Sequence, residues 1–230
     1  MTRVNGVHHL AVATGEIKSQ IEFFSDVMGM ELVALYWMHG VDGAWHGFLR
    51  WNDISYLAFV ETAEIREIDS VMGVSHAGHA TLPCAPGTMQ HVAFNVDTHD
   101  ELLDMRDRIR SRGINVVGPI EHGFASSIYF SGLENLSLEV STSPAAIDAE
   151  AWIDPEVQAL TGISDEELAR YKSPASYQGQ GGAVAQPPID PAQPHPYTPE
   201  DEYRRVIAMS DAEFTATFSE TRPPVNVAAE

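Results

Sequence analysis

His9-Leu10-Ala11-Val12 and His91-Val92-Ala93-Phe94 are the stretches from which the fold is read. They lie 91 − 9 = 82 residues apart, and the patterns that follow them come in the same order. In the first copy a strand over residues 6–13 leads to an amphipathic segment over 16–28. Ile17, Ile21, Phe24 and Val27 fall there at helical spacing, and Gly29 is its stop. In the second copy Asp97 or Thr98 caps a segment that turns Leu102, Leu103, Met105 and Ile109 inward and ends at Gly113. Strand-like runs follow in both: 31–38, 47–51 and 55–61, then 116–117, 126–130 and 136–141. The unit is β-α-β-β-β, twice. The predicted class is therefore α+β, with modules at residues 5–64 and 88–142 joined by a linker over 65–87 that carries His76 and His79.

The pattern changes near Ser143. Three of the 14 prolines (Pro83, Pro86, Pro119) come before it and 11 after it. Residues 143–230 read as an extended, Pro-rich arm with short helices, and residues 177–183 as a low-complexity loop. The expected helix starts are Asp154-Pro155, Thr198-Pro199 and the capping boxes that open at Ser164 and Ser210. Trp152, Leu160, Leu168, Tyr203, Ile207 and Phe214 are apolar anchors that need a surface to bury against. A neighbouring subunit supplies it most simply, which predicts a homodimer or higher homo-oligomer; a lid over the chain's own cleft is the competing expectation.

Composition narrows the function. The net charge of −20 repels phosphate backbones and anionic lipid, so nucleic acid and membrane surfaces are not expected partners. No run approaches the roughly 18 apolar residues of a membrane-spanning helix. The single cysteine, Cys84, excludes a disulfide framework and a cysteine-based zinc cluster, and a cytoplasmic location is expected. Any metal must be held by histidines and carboxylates.

The repeat puts His9 and His91 at equivalent points of the two modules, where a pseudo-two-fold axis would bring both into a cleft. Glu139 is a third candidate, because strand alternation turns Leu136, Leu138 and Val140 one way and Ser137, Glu139 and Ser141 the other. Two histidines and one carboxylate, with open positions opposite, are the arrangement favoured by non-haem Fe(II) oxygenases. Taken singly, each of the three is equally readable as an ordinary core or surface residue.

Gly6-Val7-His8-His9-Leu10-Ala11-Val12, Phe23-Phe24-Ser25-Asp26-Val27-Met28-Gly29-Met30, Gly87-Thr88-Met89-Gln90-His91-Val92-Ala93-Phe94, and Ile128-Tyr129-Phe130 through Leu138-Glu139-Val140 together resemble the vicinal oxygen chelate superfamily. Its members include glyoxalases, epimerases, fosfomycin-resistance transferases and extradiol ring-cleaving dioxygenases. The resemblance covers about the first 142 residues and implies His9, His91 and Glu139 as ligands of one divalent metal. Glyoxalase-like members take a fourth ligand from the last strand of the first module. Here the expected register puts Leu57 or Phe59 at that corner, with Glu61 available only if shifted inward. Three ligands resemble the dioxygenase branch and also the thiol transferases, and Tyr129, lying 139 − 129 = 10 residues before the carboxylate, resembles the dioxygenases.

The resemblance implies that Tyr129 binds the substrate oxygen and that His122 serves as acid and base. His8 would act from behind the ligand at His9, although strand alternation turns neighbours opposite ways. Gln90 and Ala11 depart from the hydroquinone-cleaving subgroup. His46, Trp45 and Phe59 are the expected pocket residues, suited to a flat apolar substrate. The implied activity is Fe(II)-dependent ring cleavage of a catecholic or hydroquinone-like compound with O2. The alternatives are a non-redox lyase, isomerase or thiol transferase using Mn, Zn or Ni, and a small-molecule binder without catalysis.

Overall fold

Alternation decides the first sheet: β1 (His9–Ala13) packs Leu10 and Val12 on the core and turns His9, Ala11 and Ala13 the other way. The computed structural model describes residues 4–179, 181–196 and 199–225. After β1 come α1 (Ile17–Asp26), β2 (Glu31–Trp37), β3 (Trp45–Asn52) and β4 (Ser55–Glu61). Their sheet has the order β1-β4-β3-β2, with β1 parallel to β4 and the other pairs antiparallel. A short α2 (Ala63–Arg66) opens the linker. Then β5 (Val92–Asn95), α3 (His99–Ser111), β6 (Val117–Glu121), β7 (Ser126–Ser131) and β8 (Ser137–Thr142) repeat the plan in the order β5-β8-β7-β6. The α+β class and the tandem modules are as expected.

The two long helices begin differently. Thr98 accepts from the Glu101 N–H while Glu101 reaches back to the Thr98 N–H, a complete capping box. Glu16 offers α1 no side-chain cap, and the buried carboxylate of Glu61 accepts the Ile17 N–H at 2.6 Å instead. Both helices are followed by left-handed glycines, Gly29 (φ 80°) and Gly113 (φ 81°).

The core is continuous across the modules. Phe24, Leu49, Leu57 and Phe59 pack between α1 and its sheet, and Leu102, Ile109, Ile128, Leu138 and Val140 between α3 and the other. Phe94 joins them, with ring centroids 6.3 Å from Phe24 and 5.6 Å from Trp51. Each fully buried aromatic or aliphatic side chain contributes about 1.5–3 kcal/mol. Polar clasps hold both ends of α1 to the second module. Arg108 donates from Nε to the Val27 carbonyl at 2.7 Å. Glu134, in a 3-10 turn (Leu133–Asn135) at φ 51°, accepts from Thr14 Oγ1, the Gly15 N–H and Gln20 Nε2 at 2.6–2.8 Å.

Among its described residues the arm carries five helices: α4 (Ala149–Trp152), α5 (Pro155–Leu160), α6 (Asp165–Lys172), α7 (Glu200–Ile207) and α8 (Asp211–Phe218). The capping boxes at Ser164 and Ser210 form, and Asp154 caps α5 with Pro155 in its first turn. α7 starts directly after Pro199; the expected cap at Thr198 lies outside the described residues. Leu160 and Phe214 remain exposed, whereas Tyr203 stacks near His195 of the proline-rich segment, 5.0 Å between centroids. Among the described residues no helix is long and apolar enough to cross a membrane.

Candidate active site

On β8, Leu138 and Val140 lie in the core, which turns Glu139 to the opposite face with Tyr129 as its cross-strand neighbour. His91 immediately precedes β5, and its Nε2 stands 3.0 Å from Glu139 Oε2. Both groups are held. Ser127 Oγ lies 2.8 Å from Ser141 Oγ, which donates to Glu139 Oε1 at 2.6 Å and leaves Oε2 facing His91.

Gln90 fixes the imidazole. Its amide nitrogen donates to the carbonyls of His79 and Leu82, both at 3.1 Å, which turns Oε1 toward His91 Nδ1. An amide oxygen only accepts, so Nδ1 carries the proton of that bond. In the neutral imidazole Nε2 is then a lone pair pointed at a carboxylate oxygen. Two acceptors 3.0 Å apart need a shared proton or a metal ion between them. The chemistry of this donor pair therefore fits two ligands of a divalent metal.

Beside the pair, Tyr129 Oη is 2.8 Å from His122 Nε2. Burial pushes the Tyr129 phenol above its ordinary pKa, and the neighbouring Glu139 charge acts in the same direction. The linker histidine His79 adds its ring, 6.2 Å from that of Tyr129. The sequence marks His79 only as a residue of the linker, and no motif assigns it to the site.

The first sheet presents a second cluster. Ring centroids place Phe48 5.6 Å from His9, 4.4 Å from His46, 6.3 Å from Tyr36 and 6.1 Å from Tyr56. His46 is buried, and its Nε2 has no hydrogen-bond partner among the described residues. Burial, followed by the nearby His9, holds its pKa below the ordinary imidazole value. His8 meets His9, Nδ1 to Nδ1 at 3.0 Å. Alternation does not separate them, because His8 precedes the first residue of β1.

Several expectations are corrected by strand phase. Phe59 is fully buried against Phe24, on the core side of the sheet and away from the face that carries His46. Leu57 shares that core, so the corner of the first sheet is Ala58, flanked by Ala11 and Phe48. Trp45 shares its phase with Gly47 and Leu49, on the side of α1, and packs with Trp37 and the Arg66 guanidinium rather than beside His46. Glu61 turns to the Ile17 N–H and pairs with Arg66, so it offers no fourth ligand.

His9 is not gathered with His91 and Glu139. Among the described residues, no three His, Cys, Asp or Glu side chains stand together closely enough to hold a metal ion. A cleft of about 1120 Å³ does lie between the modules, lined by His8, Arg50, Trp51, Phe94, Asp97 and Glu101 among others, but none of the three expected ligands lines it. The reason is the packing: α1 is clasped at both ends to the second module, and β1 and β5 belong to separate sheets. Each module thus carries part of the expected ligand set.

Comparison with known proteins places this architecture. The chain is 24% identical over 156 residues, 67% of its length and 72% of the other, to biphenyl-2,3-diol 1,2-dioxygenase 2 of Rhodococcus globerulus. Similar solved structures include a glyoxylase/bleomycin resistance protein/dioxygenase domain from Frankia sp., at 13% identity and TM-score 0.48, over 61% of this chain and 99% of that one. Another is a mutant fosfomycin resistance protein of Listeria monocytogenes in complex with Mn(II) and dihydroxypropylphosphonic acid, at 15% identity and TM-score 0.44, over 65% and 99%. The family model that describes the Glyoxalase/Bleomycin resistance protein/Dioxygenase superfamily matches residues 6–139, both modules from before β1 into β8, and the chain belongs to that superfamily.

Proposed function

We propose that the chain is a metal-dependent dioxygenase that opens the ring of a catecholic or hydroquinone-like compound with O2, using Fe(II). The observation that carries this reading is the pair His91 Nε2 and Glu139 Oε2, 3.0 Å apart, beside the hydrogen-bonded pair His122 and Tyr129. The relationship to a biphenyl-2,3-diol dioxygenase supports the substrate class. Ala58 at the first-module corner supports three ligands rather than four.

His91 and Glu139 would hold the ion, with His9 of a second copy of the chain as the third ligand. When bound there, a divalent ion supplies positive charge to substrate oxygens and, as Fe(II), the redox chemistry of O2. The protein groups do the rest. Gln90 and the Ser127–Ser141 pair keep the two donors aimed. The Tyr129 hydroxyl hydrogen-bonds a substrate oxygen, and its raised pKa keeps it a phenol that donates. His122 Nε2 shares the same hydroxyl, so a proton can be relayed through it between His122 and the substrate oxygen while Tyr129 stays a phenol. His8 sits behind His9 and orients its ring, while Phe48, Tyr36 and His46 supply a mainly apolar wall for the substrate ring.

Anaerobic purification, metal analysis and oxygen-electrode assays with catechols and hydroquinones test the reading. One iron per site with substrate-dependent O2 uptake is expected. His91→Ala and Glu139→Ala should abolish both, and Tyr129→Phe should keep the metal and lose about 10²-fold in turnover. Stoichiometric zinc, nickel or manganese without O2 uptake would point to the non-redox chemistry instead. Absence of stoichiometric metal would leave a binding protein.

A further inference from the structure

The family match ends at residue 139, yet the arm beyond it reaches the turn that carries His122, through Trp152. His122 begins the turn that joins β6 to β7, closed by its N–H donating to the Ala125 carbonyl at 2.8 Å. Gly123 in that turn is left-handed (φ 85°), and the six-membered edge of the Trp152 indole of α4 comes up against it. A Cβ built at Gly123 would come within 2.6 Å of Trp152 Cη2 and 2.8 Å of Cζ2. The next residue, Phe124, meets the same indole edge to face, 4.8 Å between centroids. Trp152 is itself anchored: Asp148 caps α4, and Lys172 of α6 pairs with Glu150. The indole thus grips the two residues that follow His122 from a braced support, while remaining half exposed.

We infer that Trp152 is a positioning residue, which holds the 122–125 turn so that His122 Nε2 stays on the Tyr129 hydroxyl. The inference rests on the acid–base reading of His122 and deepens it. It gives the first part of the arm a task on its own chain, neither the wrapping of a neighbour nor the covering of a cleft. The physical case is that His122 is exposed and its ring makes a single hydrogen bond, to Tyr129. One such bond does not by itself order an exposed side chain and its turn. A large rigid ring packed on the turn lowers that ordering cost.

The test uses the full chain with Trp152→Ala, Trp152→Phe and His122→Gln. In metal-free protein, the ring 15N signals of His122 report the Nε2 bond. The bonded signal is expected in the wild type and in Trp152→Phe, and a free-imidazole signal in Trp152→Ala. With iron-loaded protein and catechol as probe, Trp152→Ala should lower kcat roughly 10-fold at unchanged KM and metal content, and Trp152→Phe should restore it. Wild-type His122 signals in Trp152→Ala would overturn the inference. So would unchanged kcat in Trp152→Ala beside a large loss in His122→Gln. Unchanged kcat in His122→Gln, with the signals moved by Trp152→Ala, would overturn the acid–base reading alone and leave the positioning contact standing.

Discussion

Glu61 accepts the backbone N–H of Ile17 at 2.6 Å, from a side chain that is 1% exposed at the end of β4. The carboxylate closes the N-terminus of α1, where Glu16 supplies no cap, and Arg66 pairs with its other oxygen. An anion at this position satisfies an otherwise unpaired donor and meets the positive end of the helix. Glu61→Ala is therefore expected to cost on the order of 1–3 kcal/mol, since a buried donor loses a charged partner. Urea unfolding checks the loss. Metal content should not change, and a variant stripped of metal would return Glu61 to the ligand set.

Glu134 and Gln20 tie the modules at the same N-terminal end of α1. A left-handed, non-glycine residue (φ 51°) is retained where three donors of the first module converge on its carboxylate. Glu134→Ala leaves those donors unanswered. The expected result is a loss of about 2 kcal/mol or more and faster amide exchange around residues 14–20. Unchanged exchange there would show that the apolar seam at Phe24 and Phe94 holds the modules without the clasp.

His46 gives a pH dependence with a definite sign. Burial and the neighbouring His9 lower its folded pKa below the ordinary value of 6.5, so the unfolded chain takes up a proton first as the solution is acidified. The stability that goes with a neutral His46 is complete above about pH 6.5 and is lost as pH falls from there toward the lower folded value. Urea midpoints measured at about pH 7.5 and about pH 5 should fall further in the wild type than in His46→Phe, which carries no proton site. Equal falls would place the sensitivity on other histidines.

The repeat made the fold legible, because His9 and His91 head the same order of elements and alternation then assigns Leu138 and Val140 to the core and Glu139 to the other face. Strand phase in the first module was not legible to the same degree. Ser55-Tyr56-Leu57-Ala58-Phe59-Val60-Glu61 is apolar on both faces, so Phe59 and Ala58 exchange places on hydrophobicity alone. Packing of Phe59 on Phe24 decides it. The second gap is longer in range. Sequence spacing relates His9 to His91 but says nothing of whether their modules meet by one surface or another. The clasps at Arg108 and Glu134, 81 and 119 residues from their partners Val27 and Gly15, decide that.

The division of the proposed ligands between modules yields the last prediction. His91 and Glu139 meet on the second sheet, His9 stands on the first, and one chain does not unite them. A dimer in which the first module of one copy faces the second module of the other would make two sites, each needing His9 from one chain and the His91–Glu139 pair from its partner. His9→Ala chains and Glu139→Ala chains should each be inactive alone. Unfolded together and refolded as a mixture, they form mixed dimers with one site intact, because the lesions fall together in the other. Random pairing makes half the dimers mixed, so about a quarter of wild-type activity and metal is expected to return. Joint refolding that restores nothing, in chains shown by sedimentation to have exchanged, would require each site to be built within one chain. The modules would then have to open at the α1 clasps before metal binds.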